Sequence, residues 1–194
     1  MESPQTSAAR TFPLDGRLTA VGKASTPSGR ITDLTAHPRL GLRGPGVRAW
    51  CVSRGLPFPD RINRCINGDH LRVARLGRHE ILILPEDGAA PLPPIGSAAN
   101  VYDGYREETW AWFRFDGHGT DVALAQLTSA DLRSNRLRDG DVIQTRLAGL
   151  DTVIITRNQA GGGIYDIFVD IASSDFLADV FGDRCAGMAL GRPA

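Results

Sequence analysis

From Val142 to Asp170 the chain reads VIQTRLAGLDTVIITRNQAGGGIYDIFVD, and its apolar positions keep strand spacing almost throughout. Val142–Leu147 and Thr152–Thr156 are rich in β-branched residues, which suit a pleated, partly buried surface and predict two strands. The Ala148-Gly149-Leu150-Asp151 break between them supplies the small, turn-forming residues of a tight hairpin. Beyond Gly161-Gly162-Gly163, which reads as a flexible hairpin loop, a third strand alternates. Tyr165, Ile167, Val169 and Ile171 take one side, and Asp166 and Asp170 the other. The segment SSDFLADVF then predicts a helix, with Ser173 or Ser174 as N-cap, Asp175 in the first turn and Gly182 as the stop.

Upstream, ordered structure is expected to start near Ile31, with a strand at Leu40–Arg43 closed by Gly44-Pro45-Gly46. Proline is tolerated at a helix start, where its missing N–H leaves nothing unpaired. In the helix Val47–Arg54 the residues Val47, Trp50 and Cys51 recur at i, i+3, i+4 and predict a buried stripe, which Gly55 ends. LPFPD forces an extended turn, because residues before proline avoid the α region. Three short strands follow at Arg64–Ile66, Leu71–Leu76 and Glu80–Leu84. The unbroken apolar run Ile81–Leu84 predicts a strand covered on both faces. Glu86–Asn100 is a Pro/Gly/Ala linker. After it come a strand at Ala111–Asp116, with Phe113 and Phe115 on one face, and a turn at Gly117-His118-Gly119. A helix with Thr120 as its N-cap then carries Ala123, Leu124 and Leu127 at helical spacing.

The two halves share an order. LGLRG-PGVRAWCVSRG parallels WFRFDG-HGTDVALAQLT, and RVARLGRHEILILP parallels VIITRNQAGGGIYDIFVDI. The pattern predicts an α+β fold of duplicated β-α-β-β units, with helices packed on antiparallel sheet. Residues 1–30 form an extended arm, 31–85 the first repeat, 86–109 the linker and an aromatic segment, and 110–194 the second repeat.

Composition narrows the function classes. The 22 basic and 22 acidic side chains balance, which argues against nucleic acid or an anionic membrane as partner, since counterion-release binding needs a basic excess. No apolar run approaches the ~20 residues of a membrane span, and MESPQTSAARTF has no apolar core of a secretory signal. The cysteines Cys51, Cys65 and Cys185 are odd in number and widely spaced, which fits thiols in a reducing cytoplasm.

The search for chemistry is short. His37, His70, His79 and His118 each lack a partner at ligand or catalytic spacing. Gly161-Gly162-Gly163 precedes a strand rather than a helix, so it lacks the convergent N–H groups of a phosphate loop. Asp131, Asp139 and Asp141 miss the calcium-loop pattern. No catalytic, cofactor-binding or metal residue is therefore assigned. Tyr102, Tyr105, Trp110 and Trp112 cluster after the linker, as core packing or as an interface, where Tyr and Trp are enriched. Alternation sets Trp112 opposite Phe113, so at least one of the two faces something other than the main core.

The order of these motifs resembles the gamma subunit of heterotetrameric sarcosine oxidase over roughly residues 31–181. The residues that carry the likeness are ITDLTAHPRLGLRG, LPFPDRIN and RVARLGRHEILIL in the first half. In the second they are FRFDGHGTDVALAQLTSADLRSNRLRDGDVIQTRLAGLDTVIITR and IYDIFVDIASSDFLADVF. The resemblance implies the fold of the aminomethyltransferase folate-binding module. It also implies a non-catalytic subunit of a complex that oxidatively demethylates sarcosine to glycine, with hydrogen peroxide and formaldehyde or methylene-tetrahydrofolate as products. FAD, FMN, NAD, tetrahydrofolate and zinc would then belong to partner subunits, with alpha as the direct partner and beta and delta completing the complex. Thr128-Ser129 departs from the Cys-Pro type of pair expected there. A complex acting on another N-methylated amine, or a stand-alone folate-binding protein, stays open on these residues.

Overall fold

The structure, a computed structural model, describes residues 29–86, 91–159, 162–184 and 189–191. The arm before residue 29, Gly161 and Cys185 lie outside these residues. In chain order the elements are β1 (Arg30–Asp33), β2 (Leu40–Arg43), α1 (Val47–Ser53), β3 (Arg64–Asn67), β4 (Leu71–Gly77) and β5 (Glu80–Pro85). Then come β6 (Tyr102–Asp103), α2 (Arg106–Thr109), β7 (Trp110–Asp116), α3 (Thr120–Ala125), β8 (Val142–Leu147), β9 (Leu150–Gln159), β10 (Gly162–Asp170), α4 (Ser174–Arg184) and β11 (Ala189–Gly191).

The strands make a six-stranded sheet, ordered β11-β1-β7-β10-β9-β8, and a five-stranded sheet, ordered β3-β4-β5-β2-β6. Every pairing is antiparallel except β1 with β11. In both sheets a strand and a helix lead into a three-strand meander, whose last strand pairs back onto the first: β5 on β2, and β10 on β7.

The sheets stack face to face, and their core separates into layers. Between them lie Ala74, Leu82 and Leu84 of one sheet and Trp112, Val153, Ile155 and Phe168 of the other. The outer face of the larger sheet carries Phe113, Phe115, Ile154, Ile167 and Val169 under Leu124 of α3 and Leu177 and Phe181 of α4. Phe181 meets Phe113 and Phe115 edge-on, with centroids 5.3 and 4.7 Å apart, a favoured aromatic geometry. On the far side Val47, Trp50 and Cys51 of α1 cover Leu42, Val73, Ile81 and Ile83, as the helical spacing of α1 predicts. Leu92, Ile95 and Ala98 pack beside them, and the Trp50 indole donates to the Ile95 carbonyl at 2.9 Å. Both sheets are therefore covered on both faces. This is why Ile81–Leu84 is unbroken apolar sequence, and why Trp112 and Phe113 are both buried although they point opposite ways.

Several local expectations shift. The β8–β9 turn is only Ala148-Gly149, both left-handed at φ 51° and 84°, the conformation that matches the twist of a two-residue hairpin. Gly162 and Gly163 are not loop but the start of β10, paired with Gln159 and Asn158. A Cβ on Gly163 would lie 2.7 Å from the Tyr165 hydroxyl, which donates to the Leu132 carbonyl at 2.7 Å. Thr120 does not cap α3: it is the first helical residue, and its hydroxyl donates to the Gly117 carbonyl. Of the two serines expected at the start of α4, Ser174 is its first helical residue, and its hydroxyl donates to the Ile171 carbonyl at 2.7 Å. One turn earlier the Asp170 carboxylate accepts from the Ala172 N–H at 2.8 Å and caps the 3-10 turn that leads into the helix. The helix also runs through Gly182 to Arg184, because helical geometry tolerates an interior glycine at modest cost.

Candidate functional site

The third strand places Asp166 opposite Tyr165 and Ile167, as alternation requires, but that side is not solvent. It faces the second sheet, and Asp166 is 0% exposed. Arg114 of β7, in register with Asp166, donates from Nε to Oδ1 at 2.8 Å. The Trp112 indole N–H reaches the same oxygen at 3.0 Å. From the opposite sheet Arg72 of β4 donates to Oδ2 at 3.2 Å, and Arg157 of β9 lies 3.5 Å from Oδ2. Burial alone would push the Asp166 carboxyl up, but Arg114, Arg157 and Arg72 outweigh it and hold it below the usual carboxylate range. This ion cluster joins the sheets across their shared core.

Its surroundings are neutral or inert. His37 packs edge-on against Trp112, with ring centroids 6.1 Å apart. Burial lowers its pKa, and Arg114 and Arg39 lower it further against Asp33. Burial raises the Cys65 thiol, and pushes Cys51 up to about 11, so neither is an activated nucleophile. His70, His79 and His118 are exposed. Asp131 pairs with Arg133 at 2.6 Å, which holds its carboxyl down at about 2, and Asp141 pairs with Arg64 at 2.7 Å. Among the described residues no three His, Cys, Asp or Glu side chains come together as a metal site, and no helix is long and apolar enough to cross a membrane.

A second assembly presents the aromatic segment. Arg39 is buried, and its guanidinium donates to the carbonyls of Thr35, His37, Arg106, Glu107 and Trp110. It fastens α2 to the core from beneath. Above it Arg106 stacks 3.8 Å over the Trp110 ring and pairs with Glu80, which also accepts from Arg43. Gly41 lies directly under the Arg106 side chain, leaving no room for a Cβ. The four aromatics separate here. Tyr102 and Tyr105 are exposed, Trp110 is half-buried and Trp112 is buried. Tyr105 sits at φ 51°, its N–H bound by the Asp103 carboxylate at 2.7 Å. Trp110 also floors an open groove of about 610 Å³ with Val153 and Phe168, rimmed by Gln144, Arg146, Asp151 and Asp170.

The charge cluster and the Arg39 anchor were not anticipated as sites. A signal was available: Phe168 stands between Asp166 and Asp170 on the supposedly polar side, and Trp110 and Trp112 share one side of their strand with Arg114 and Asp116. Large aromatics interleaved with charges mark a covered face.

No protein-family model matches the chain, and no curated protein does. Among solved structures it is similar to a chain of the heterotetrameric sarcosine oxidase from Corynebacterium sp. U-96, solved in complex with pyrrole 2-carboxylate. The TM-score is 0.59 at 18% sequence identity, covering 75% of this chain and 77% of that one. The likeness shows a shared α+β fold of antiparallel sheets and helices.

Proposed function

We propose that this chain is the gamma, non-catalytic subunit of a sarcosine-oxidase-like flavoenzyme complex in the cytoplasm, serving sarcosine catabolism. The observation that carries the reading is the fold shared with a chain of a heterotetrameric sarcosine oxidase. The two coverages are nearly equal, so that chain is about as long as this one, which suits a small subunit. The matching strand–helix–meander in both sheets supports two copies of one ancestral unit. In this reading alpha is the direct partner, beta and delta complete the assembly, and FAD, FMN, NAD, tetrahydrofolate and zinc sit in those subunits.

The exposed Tyr102 and Tyr105 supply the contact. Rigid aromatics on a backbone already fixed by Arg39 lose little entropy when a partner covers them. The test is co-expression of the tagged chain with its genomic neighbours. A yellow flavoprotein should co-purify, and Tyr102→Ala with Tyr105→Ala should weaken capture by at least about tenfold. If no flavoprotein is captured, the subunit role fails. If one is captured that oxidises a different N-methylated amine, the substrate changes and the subunit role stands.

A further inference from the structure

Strand β8 is one edge of the larger sheet, and alternation fixes which of its main-chain groups face outward. The Val142 N–H points away from β9 and donates to the Asn63 carbonyl at 3.0 Å, and the Ala148 N–H donates to the Leu127 carbonyl at 2.7 Å. Gln144 and Arg146, in phase with these two, turn their N–H and C=O groups to the same side. Among the described residues nothing pairs with them there. Both residues are exposed, so the edge is open between its two tied ends. From Val142 to Ala148 the strand runs about 20 Å, room for a short extended segment and no more. The edges of the smaller sheet offer less. There β3 is tied at Cys65 to the Gly140 carbonyl, and β6 is only two residues long.

The open edge also borders the Trp110 groove, which Gln144, Thr145 and Arg146 line together with Phe168. That groove joins the edge to the Tyr102–Tyr105 surface, because Arg106, next to Tyr105 in the chain, stacks over the Trp110 ring. The Arg146 side chain is held only by Asp151 at 3.5 Å, and both are largely exposed, a pairing of little strength. An unpaired edge is a template for another strand. Its occupant must bring main-chain donors and acceptors, which a docked helix has already spent on itself. A second copy of this chain does not fit. Its β8, paired antiparallel about Thr145, would run past Val142 and Ala148, where Asn63 and Leu127 already sit.

We propose that a short extended segment of the partner subunit adds to the larger sheet at β8, pairing with the main chain of Gln144 and Arg146 beside the Trp110 groove. The inference rests on the subunit role proposed above, and its test uses the co-expressed complex. Arg146→Pro deletes the outward N–H, and proline suits an edge position whose N–H makes no ladder bond. Arg146→Ala removes the side chain and keeps that N–H. The two variants should melt alike, yet Arg146→Pro should capture at least about tenfold less flavoprotein than Arg146→Ala. In the wild-type complex the amides of Gln144 and Arg146 should exchange with deuterium at least about tenfold more slowly than in the free chain. Equal capture by the two variants, or unslowed exchange at these amides, overturns the proposal and leaves the subunit role standing. If the wild-type chain captures no flavoprotein, the proposal falls together with that role. If Arg146→Pro does not fold, amide exchange in the wild-type complex decides.

Discussion

Asp166→Asn removes the one carboxylate that three arginines share, without changing the side chain's size. The consequences differ at its two oxygens. Oδ1 accepts from Arg114 and Trp112, and an amide oxygen can replace it there. Oδ2 faces Arg72 at 3.2 Å and Arg157 at 3.5 Å, and an amide nitrogen in its place sets a donor against donors. Breaking a buried ion pair by removing one partner costs about 3–5 kcal/mol. The solvent reaching Arg114 and Arg157 argues for the lower half of that range. The pH dependence is a second, independent mark. The folded carboxyl is held below its ordinary value, so the unfolded chain takes up the proton first. The contribution of Asp166 is complete above about pH 3.9 and fades as pH falls towards the folded value. Urea unfolding of both proteins in chloride buffer should give a gap of about 3 kcal/mol or more at pH 7, narrowing below pH 4. A gap under about 1 kcal/mol at pH 7, the ordinary scale of a surface change, or one that stays constant into acid, would refute the cluster as a stabilising link between the sheets.

Three further outcomes follow from single sites. Arg39→Lys keeps the charge but not the planar fork that spans five carbonyls. It should cost at least about 2 kcal/mol, and limited proteolysis should cut first near residues 105–110. Gly163→Ala drives a methyl into the Tyr165 hydroxyl and ring, and chemical denaturation should show a loss of roughly 1–3 kcal/mol. Thr32→Val removes a buried hydroxyl that has no hydrogen-bond partner and keeps the side chain's shape. The melting temperature should hold or rise by a few degrees, about 2–4 °C per kcal/mol for a chain of this size.

The elements with a strong period were legible from residues alone. The β8–β9–β10 meander and the buried stripe of α1 both appear in the structure. Alternation and helical spacing are local properties of the backbone, so a single sequence reports them. Caps and turns were less legible. Asp170, Ser173 and Ser174 are all competent caps, and which one serves depends on where β10 delivers the chain.

What the strands face was decided by the tertiary structure. Period two says that Asp166 and Tyr165 point opposite ways, but it does not say which side is wet. Only the stacking of one sheet on the other turns Asp166, Arg114 and Arg72 from plausible surface charges into a buried cluster. The same holds for Arg39. Its carbonyl acceptors lie 2 to 71 residues away in the chain, and no local pattern records contacts of that range. The sequence by itself determined the strongly periodic strands and helices and their order, but not the short β1, β6, α2 and β11. The pairing of two covered sheets, which buries charge and fixes the Tyr102–Tyr105 surface, is a long-range outcome that only packing selects.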